Sequence, residues 1–103
     1  MLTSDQIQTE LFDFDAAGPF HITKIKDANT YGCYRLPTFT DVLACFVKRA
    51  NALKFADWIP DGRPIEVLKV TFDEAREIAK SKPLTVGIAV LDNVNNPIIH
   101  FVR

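Results

Sequence analysis

The segment Leu84-Thr85-Val86-Gly87-Ile88-Ala89-Val90-Leu91 constrains this chain more than any other stretch. It is nearly all apolar and rich in β-branched side chains, the pattern of a strand that is covered on both faces or paired centrally. It therefore predicts a sheet with residues 84–91 in the middle. The polar residues from Asp92 to Pro97 read as a connection, and Ile98 to Val102 reads as the returning strand of a hairpin.

The elements around this strand follow from caps, breakers and periodicity. Thr3 with Gln6 forms a capping-box pattern ahead of Ile7, Leu11 and Phe14, so a first helix is expected up to the break at Ala16-Ala17-Gly18-Pro19. Phe20 to Lys26 reads as a strand, two-sided or bulged, because Phe20 and Ile22 fall on one face and Ile25 on the other. Asp27-Ala28-Asn29-Thr30 is turn chemistry, and Tyr31 to Leu36 returns from it, predicting a hairpin over 20–36. Thr38 with Asp41 predicts a second cap, and Phe39, Val42, Leu43, Phe46, Val47, Ala50 and Leu53 predict a helix of about four turns. Ile65 to Val70 is a strand by composition. Thr71 with Glu74 caps a third helix, with Phe72, Ala75, Ile78 and Ala79 inward and Pro83 ending it. The strand 65–70, helix 72–82 and strand 84–91 are expected to form a right-handed crossover. Thr71-Phe72-Asp73-Glu74 repeats the pattern of Thr38-Phe39-Thr40-Asp41, which reflects a shared capping solution rather than a duplication.

The expected fold class is therefore α+β, a mixed, mainly antiparallel sheet of about five strands in the order α-β-β-α-β-α-β-β with helices packed on it. At 103 residues, residues 1–103 are expected to form a single domain. Twelve Lys and Arg against thirteen Asp and Glu leave a net charge of -1, which supplies no general field for nucleic acid or an anionic membrane. No apolar run reaches the ~20 residues of a membrane-spanning helix. Met1 to Asp15 carries Asp5, Glu10, Asp13 and Asp15 and no Lys or Arg, unlike a secretory or transit segment, so a cytoplasmic location is expected.

Several chemistries lack their signatures. Gly18, Gly32, Gly62 and Gly87 are isolated, giving neither a P-loop nor a dinucleotide fingerprint, and no cofactor is expected. His21 and His100 lie 79 positions apart with no Cys/His cluster, so no metal site is expected. Cys33 and Cys45 lie outside any C-x-x-C and read as two buried, reduced thiols. A Cys–His pair is the one nucleophilic constellation the composition permits. Cys33, beside Tyr34 and Arg35, is its better candidate, although the expectation is a chain that is not an enzyme.

Two stretches stand out as candidate binding surfaces. In the first hairpin His21, Lys24, Lys26, Tyr31, Tyr34 and Arg35 interleave cations and aromatics, an arrangement able to stack bases and neutralise phosphates. The absence of an RNP-like motif counts against nucleic acid. Trp58-Ile59-Pro60 places the only tryptophan in a loop, where it either plugs one end of the core or stands out as an interface anchor. The candidate partner-binding residues are thus Tyr31, Tyr34, Arg35, Lys24, Lys26, Trp58 and Ile59.

Two families bear on this reading. Leu36-Pro37-Thr38-Phe39-Thr40-Asp41, ahead of an apolar helix and a later strand–helix–strand, resembles the lead-in of the SseB N-terminal-like small αβ domains. The matched positions are a cap and core residues, so that resemblance implies a fold and no reaction. Glu74-Ala75, Val86-Gly87-Ile88-Ala89-Val90-Leu91-Asp92 and Phe101-Val102-Arg103 look like the helix-hairpin of GlcG/HbpS-type ligand-binding domains, which implies a ligand site. The expected function is a non-enzymatic regulatory or accessory module that binds a protein partner or a second copy of itself. A small-molecule sensor and a nucleic-acid module acting through residues 20–36 are the alternatives.

Overall fold

The computed structural model describes residues 13–38, 40–57, 64–93 and 95–103. Among them the elements run α1 (Phe14–Ala17), β1 (Phe20–Ile25), β2 (Cys33–Arg35), β3 (Asp41–Cys45), α2 (Arg49–Ala56), β4 (Ile65–Val70), α3 (Phe72–Ser81), β5 (Thr85–Val90) and β6 (Ile98–Phe101). The fold is α+β, with six strands in two sheets. A four-stranded mixed sheet has the order β2-β3-β5-β6, and a two-stranded antiparallel ribbon pairs β1 with β4. The first helix expected from Thr3 falls mostly outside the described residues; Phe14, expected inside it, instead opens the short helix α1, whose extended N-cap Asp13 accepts a hydrogen bond from Ala16 N–H at 3.1 Å.

Leu84 is exposed, and the residues after it, Thr85–Val90, form the inner strand β5, parallel to β3 and antiparallel to β6. Burial on both faces explains its composition. Ile88 and Val90 join Leu43 and Cys45 of β3 in one core, and Ala89 and Leu91 join Val42, Ala44 and Phe46 in the other. Each fully buried Leu, Ile or Phe contributes roughly 1.5–3 kcal/mol from its removal from water. At Val86 the register slips, since Asp41 faces Thr85 while Val42 faces Gly87. A Cβ on Gly87 would run into the His100 carbonyl, so glycine lets β6 approach here.

The helix expected over 39–53 is corrected. Its first part is the strand β3, and only Arg49–Ala56 is helical. A run apolar at every position from Val42 to Val47 satisfies a helical template and a doubly buried strand equally well, and parallel pairing with β5 decides between them. Asp41 caps nothing; its carboxylate takes a hydrogen bond from Arg35 Nε at 3.1 Å across β2 and β3. Val47 and Leu53, expected on the apolar face, are exposed. The N-terminus of α2 has no side-chain cap of its own. Asp92, just past β5, supplies one, accepting from Val47 N–H at 2.7 Å, Lys48 N–H at 3.1 Å and Asn51 Nδ2 at 2.7 Å.

The hairpin over 20–36 and the crossover from β4 to β5 are also corrected. β1 leaves its neighbour after one bridge, Lys24 to Tyr31, and pairs along its length with β4, from Phe20↔Val70 to Ile25↔Ile65. β2 pairs with β3 instead. Thr23 is buried on the side of β1 facing this junction, and Gly32 is required there, because a Cβ would strike the Thr23 hydroxyl and come within 2.8 Å of the Phe55 ring. β4 and β5 lie in different sheets, and the parallel connection runs from β3 through α2, β4 and α3 to β5. The capping box of α3 is complete: Thr71 N–H donates to Glu74 Oε1 at 2.9 Å and Glu74 N–H to Thr71 Oγ1 at 3.1 Å. Ala75 and Ala79 are fully buried on its inner face, with Phe72 and Ile78 packed beside them.

Candidate functional site

A cleft of about 240 Å³ opens where the end of α3 meets the approach to β2. Its apolar wall is Leu43 from β3 with Ile78 and Ala79 from α3. The remaining wall is polar: Asn29, Thr30 and Tyr31 from the loop before β2, Cys33 from β2, and Lys82 and Thr85 from the turn after α3. Distant segments are held together here by Lys82, whose ammonium donates to the Asn29 carbonyl and lies 5.6 Å from the centre of the Tyr31 ring. An ammonium has three donors, so the bond to Asn29 does not exhaust the hydrogen-bonding capacity of Lys82.

Arg103 sets the local electrostatics. The C-terminal carbonyls of a helix carry partial negative charge. The Arg103 guanidinium donates to the carbonyls of Lys80 at 2.7 Å, Lys82 at 2.8 Å and Ala79 at 3.4 Å, and its Nε donates to the Thr85 carbonyl at 2.8 Å. The helix end beside the cleft is thereby neutralised, and among the described residues none that lines the cleft is acidic.

Cys33 is an exposed residue, which corrects the expectation of two buried thiols; Cys45 is buried as expected. Burial of the Cys33 thiol against the cleft wall pushes its pKa up, and Asp41 pushes it further, while a hydrogen bond with Thr85 and the charge of Lys82 act the other way. The thiol is consequently protonated at neutral pH, a poor state for a nucleophile. His100 packs against the rings of Phe14 and Phe72, with centroids at 5.4 and 5.1 Å, and those two rings stack on each other at 5.3 Å. Among the described residues no three His, Cys, Asp or Glu side chains converge to hold a metal ion.

The seven residues expected to form a binding surface are dispersed. Tyr31 packs against the core containing Leu43 and lines the cleft, whereas Tyr34 packs against the opposite core. Lys24 lies 3.5 Å from Glu66 across the ribbon, Lys26 is exposed, and Arg35 is tied to Asp41. Trp58 and Ile59 lie outside the described residues. The cations and aromatics of 20–36 therefore do not share one face, because the chain changes sheets between Tyr31 and Cys33. Lys82 and Thr85 carry no local signal. Lys82 reads as an ordinary cation at a helix end, and only the fold brings it to Asn29, 53 positions earlier.

The architecture is that of a small α+β domain whose mixed sheet is buried on both faces at β3 and β5. Comparison with protein-family models, curated proteins and solved structures found no match. Among the described residues, no helix is long and apolar enough to cross a membrane.

Proposed function

We propose that this chain is a non-enzymatic regulatory or accessory module that acts by pairing with another protein chain, in the first instance a second copy of itself, along β6. The observation that carries this reading is the free edge of the four-stranded sheet. β6 has no strand on its outer side among the described residues. Because Val102 N–H donates to the Val86 carbonyl, alternation turns the backbone groups of Ile99 and Phe101 away from β5, where an added strand would meet them. Phe101 ends a row running across the sheet through Tyr34, Val42 and Gly87, and it is 59% exposed. An apolar edge left uncovered in this way among the described residues is a template for strand addition.

The test is sedimentation of the full chain from about 1 to 100 μM, a range that brackets micromolar self-association. Wild type is expected to shift toward dimer with concentration. Phe101→Lys, a surface change that leaves far-UV circular dichroism unaltered, is expected to stay monomeric. A monomeric wild type across that range, or a Phe101→Lys variant that dimerises equally well, overturns the reading.

A further inference from the structure

We propose that the cleft between α3 and the approach to β2 is a binding site for a small monocarboxylic acid, with its carboxylate on the Lys82 ammonium and its apolar part against Leu43, Ile78 and Ala79. This goes beyond the edge-pairing reading and does not depend on it, since β6 contributes nothing to the lining.

Three features of the cleft select the ligand. The first is charge. Among the described residues that line the cleft Lys82 is the one cation, and Arg103 cancels the negative end of α3 beside it. Asp41, whose charge reaches Cys33, is paired with Arg35 at 3.1 Å. A single cation without an arginine fork or a glycine-rich loop matches one carboxylate better than a phosphate or a diacid. The second is the division of the walls: Leu43, Ile78 and Ala79 form a continuous apolar side, while Thr30, Lys82 and Thr85 supply hydroxyl and ammonium groups. A ligand with one charged end and one apolar end satisfies both, whereas a sugar would leave hydroxyls against Leu43 and Ile78. The third is size, for 240 Å³ holds about eight waters at ~30 Å³ each, which sets the scale of a short branched or aromatic acid.

The Cys33 thiol also lines this wall, within reach of the Lys82 charge. The thiol is a built-in reporter, because Cys33 is exposed and lines the cleft while Cys45 is buried.

Benzoate, with about nine non-hydrogen atoms, is a suitable probe, and benzamide is its neutral counterpart of the same shape. In a titration of the full-length chain followed by amide chemical shifts, benzoate is expected to bind with a Kd of millimolar order or tighter. The shifts should be confined to residues 29–33, 43, 78–79 and 82–85, and benzoate should slow iodoacetamide labelling of Cys33. Lys82→Gln should weaken benzoate about tenfold or more and leave benzamide unchanged, a readout that a general loss of structure would not give. Thr85→Val serves as a second variant and should weaken benzoate less. The proposal is overturned if no cleft shift appears up to about 10 mM benzoate. It is equally overturned if Lys82→Gln binds like wild type, if benzamide binds as well as benzoate, or if Cys33 labelling is unaffected at saturation.

Discussion

Replacing Asp92 with alanine tests how α2 is held in place. Its carboxylate takes three hydrogen bonds from the start of that helix: Val47 N–H at 2.7 Å, Lys48 N–H at 3.1 Å and Asn51 Nδ2 at 2.7 Å. No residue of the helix supplies a cap itself, and its first turn contains no acid to offset the positive end of the dipole. Loss of an ordinary N-cap costs about 0.5–2 kcal/mol, and a hydrogen bond to a charged group contributes more than a neutral one. Because the freed N–H groups are partly open to water, the three bonds do not add in full, and the expected destabilisation is about 2 kcal/mol. For a domain of this size that lowers Tm by about 10 °C. Asp92→Asn keeps one acceptor oxygen but loses the charge, so about 1 kcal/mol is expected. Urea unfolding followed by circular dichroism measures both, with an unchanged m-value showing that the native and unfolded states are otherwise preserved. If Asp92→Ala unfolds within about 0.5 kcal/mol of wild type, the size of an ordinary surface change, the tertiary cap does not hold α2 and the reasoning fails.

Three further outcomes follow from the geometry. Arg103→Ala removes the donors to the carbonyls of Ala79, Lys80, Lys82 and Thr85 and should cost about 1–2 kcal/mol in urea unfolding, with Arg103→Lys falling between it and wild type. Partial burial of His100, which packs against Phe14 and Phe72, lowers its pKa below the ordinary value, and Arg76 and Lys80 lower it further. The unfolded chain therefore binds that proton more readily. Stability from this site is fully present above about pH 6.5 and falls as pH drops through the folded pKa, so a His100→Phe variant should show a flatter pH dependence of Tm below that point. Gly32→Ala forces a Cβ into the buried Thr23 hydroxyl and the Phe55 ring and should destabilise by about 1–3 kcal/mol; a neutral result would mean that β1 can move away from the junction.

Much of the fold was legible because the features that specify it are local. Thr71 and Glu74 form the capping box their spacing predicts, and α3 buries Ala75 and Ala79 as its periodicity requires. The run from Leu84 to Leu91 reads as a doubly covered strand, and its Thr85–Val90 part is one, with Leu84 left exposed ahead of it. β4 and the β5–β6 hairpin likewise fall where composition and turn residues place them. The same local rules misread Phe39 to Leu53, since an unbroken apolar stretch has no period of its own and takes its conformation from the strand it pairs with. The candidate site was least legible. Tyr31 and Cys33 were noticed for their neighbours along the chain, but the partners that make them a site, Lys82 and Thr85, arrive from about 50 positions away.

The sequence by itself determined where most elements begin and end, which face of α3 is apolar, and that the strand Thr85–Val90 lies inside a sheet. Those properties depend on caps, periodicity and burial, which act over a few residues. Only the tertiary structure decided that β1 joins β4 rather than β2, that Asp92 caps a helix 44 positions earlier, and that a cation and two hydroxyls border one cleft. Strand partners and converging side chains are chosen by the packing of the whole core, where competing pairings of similar local quality differ only in what they bury together.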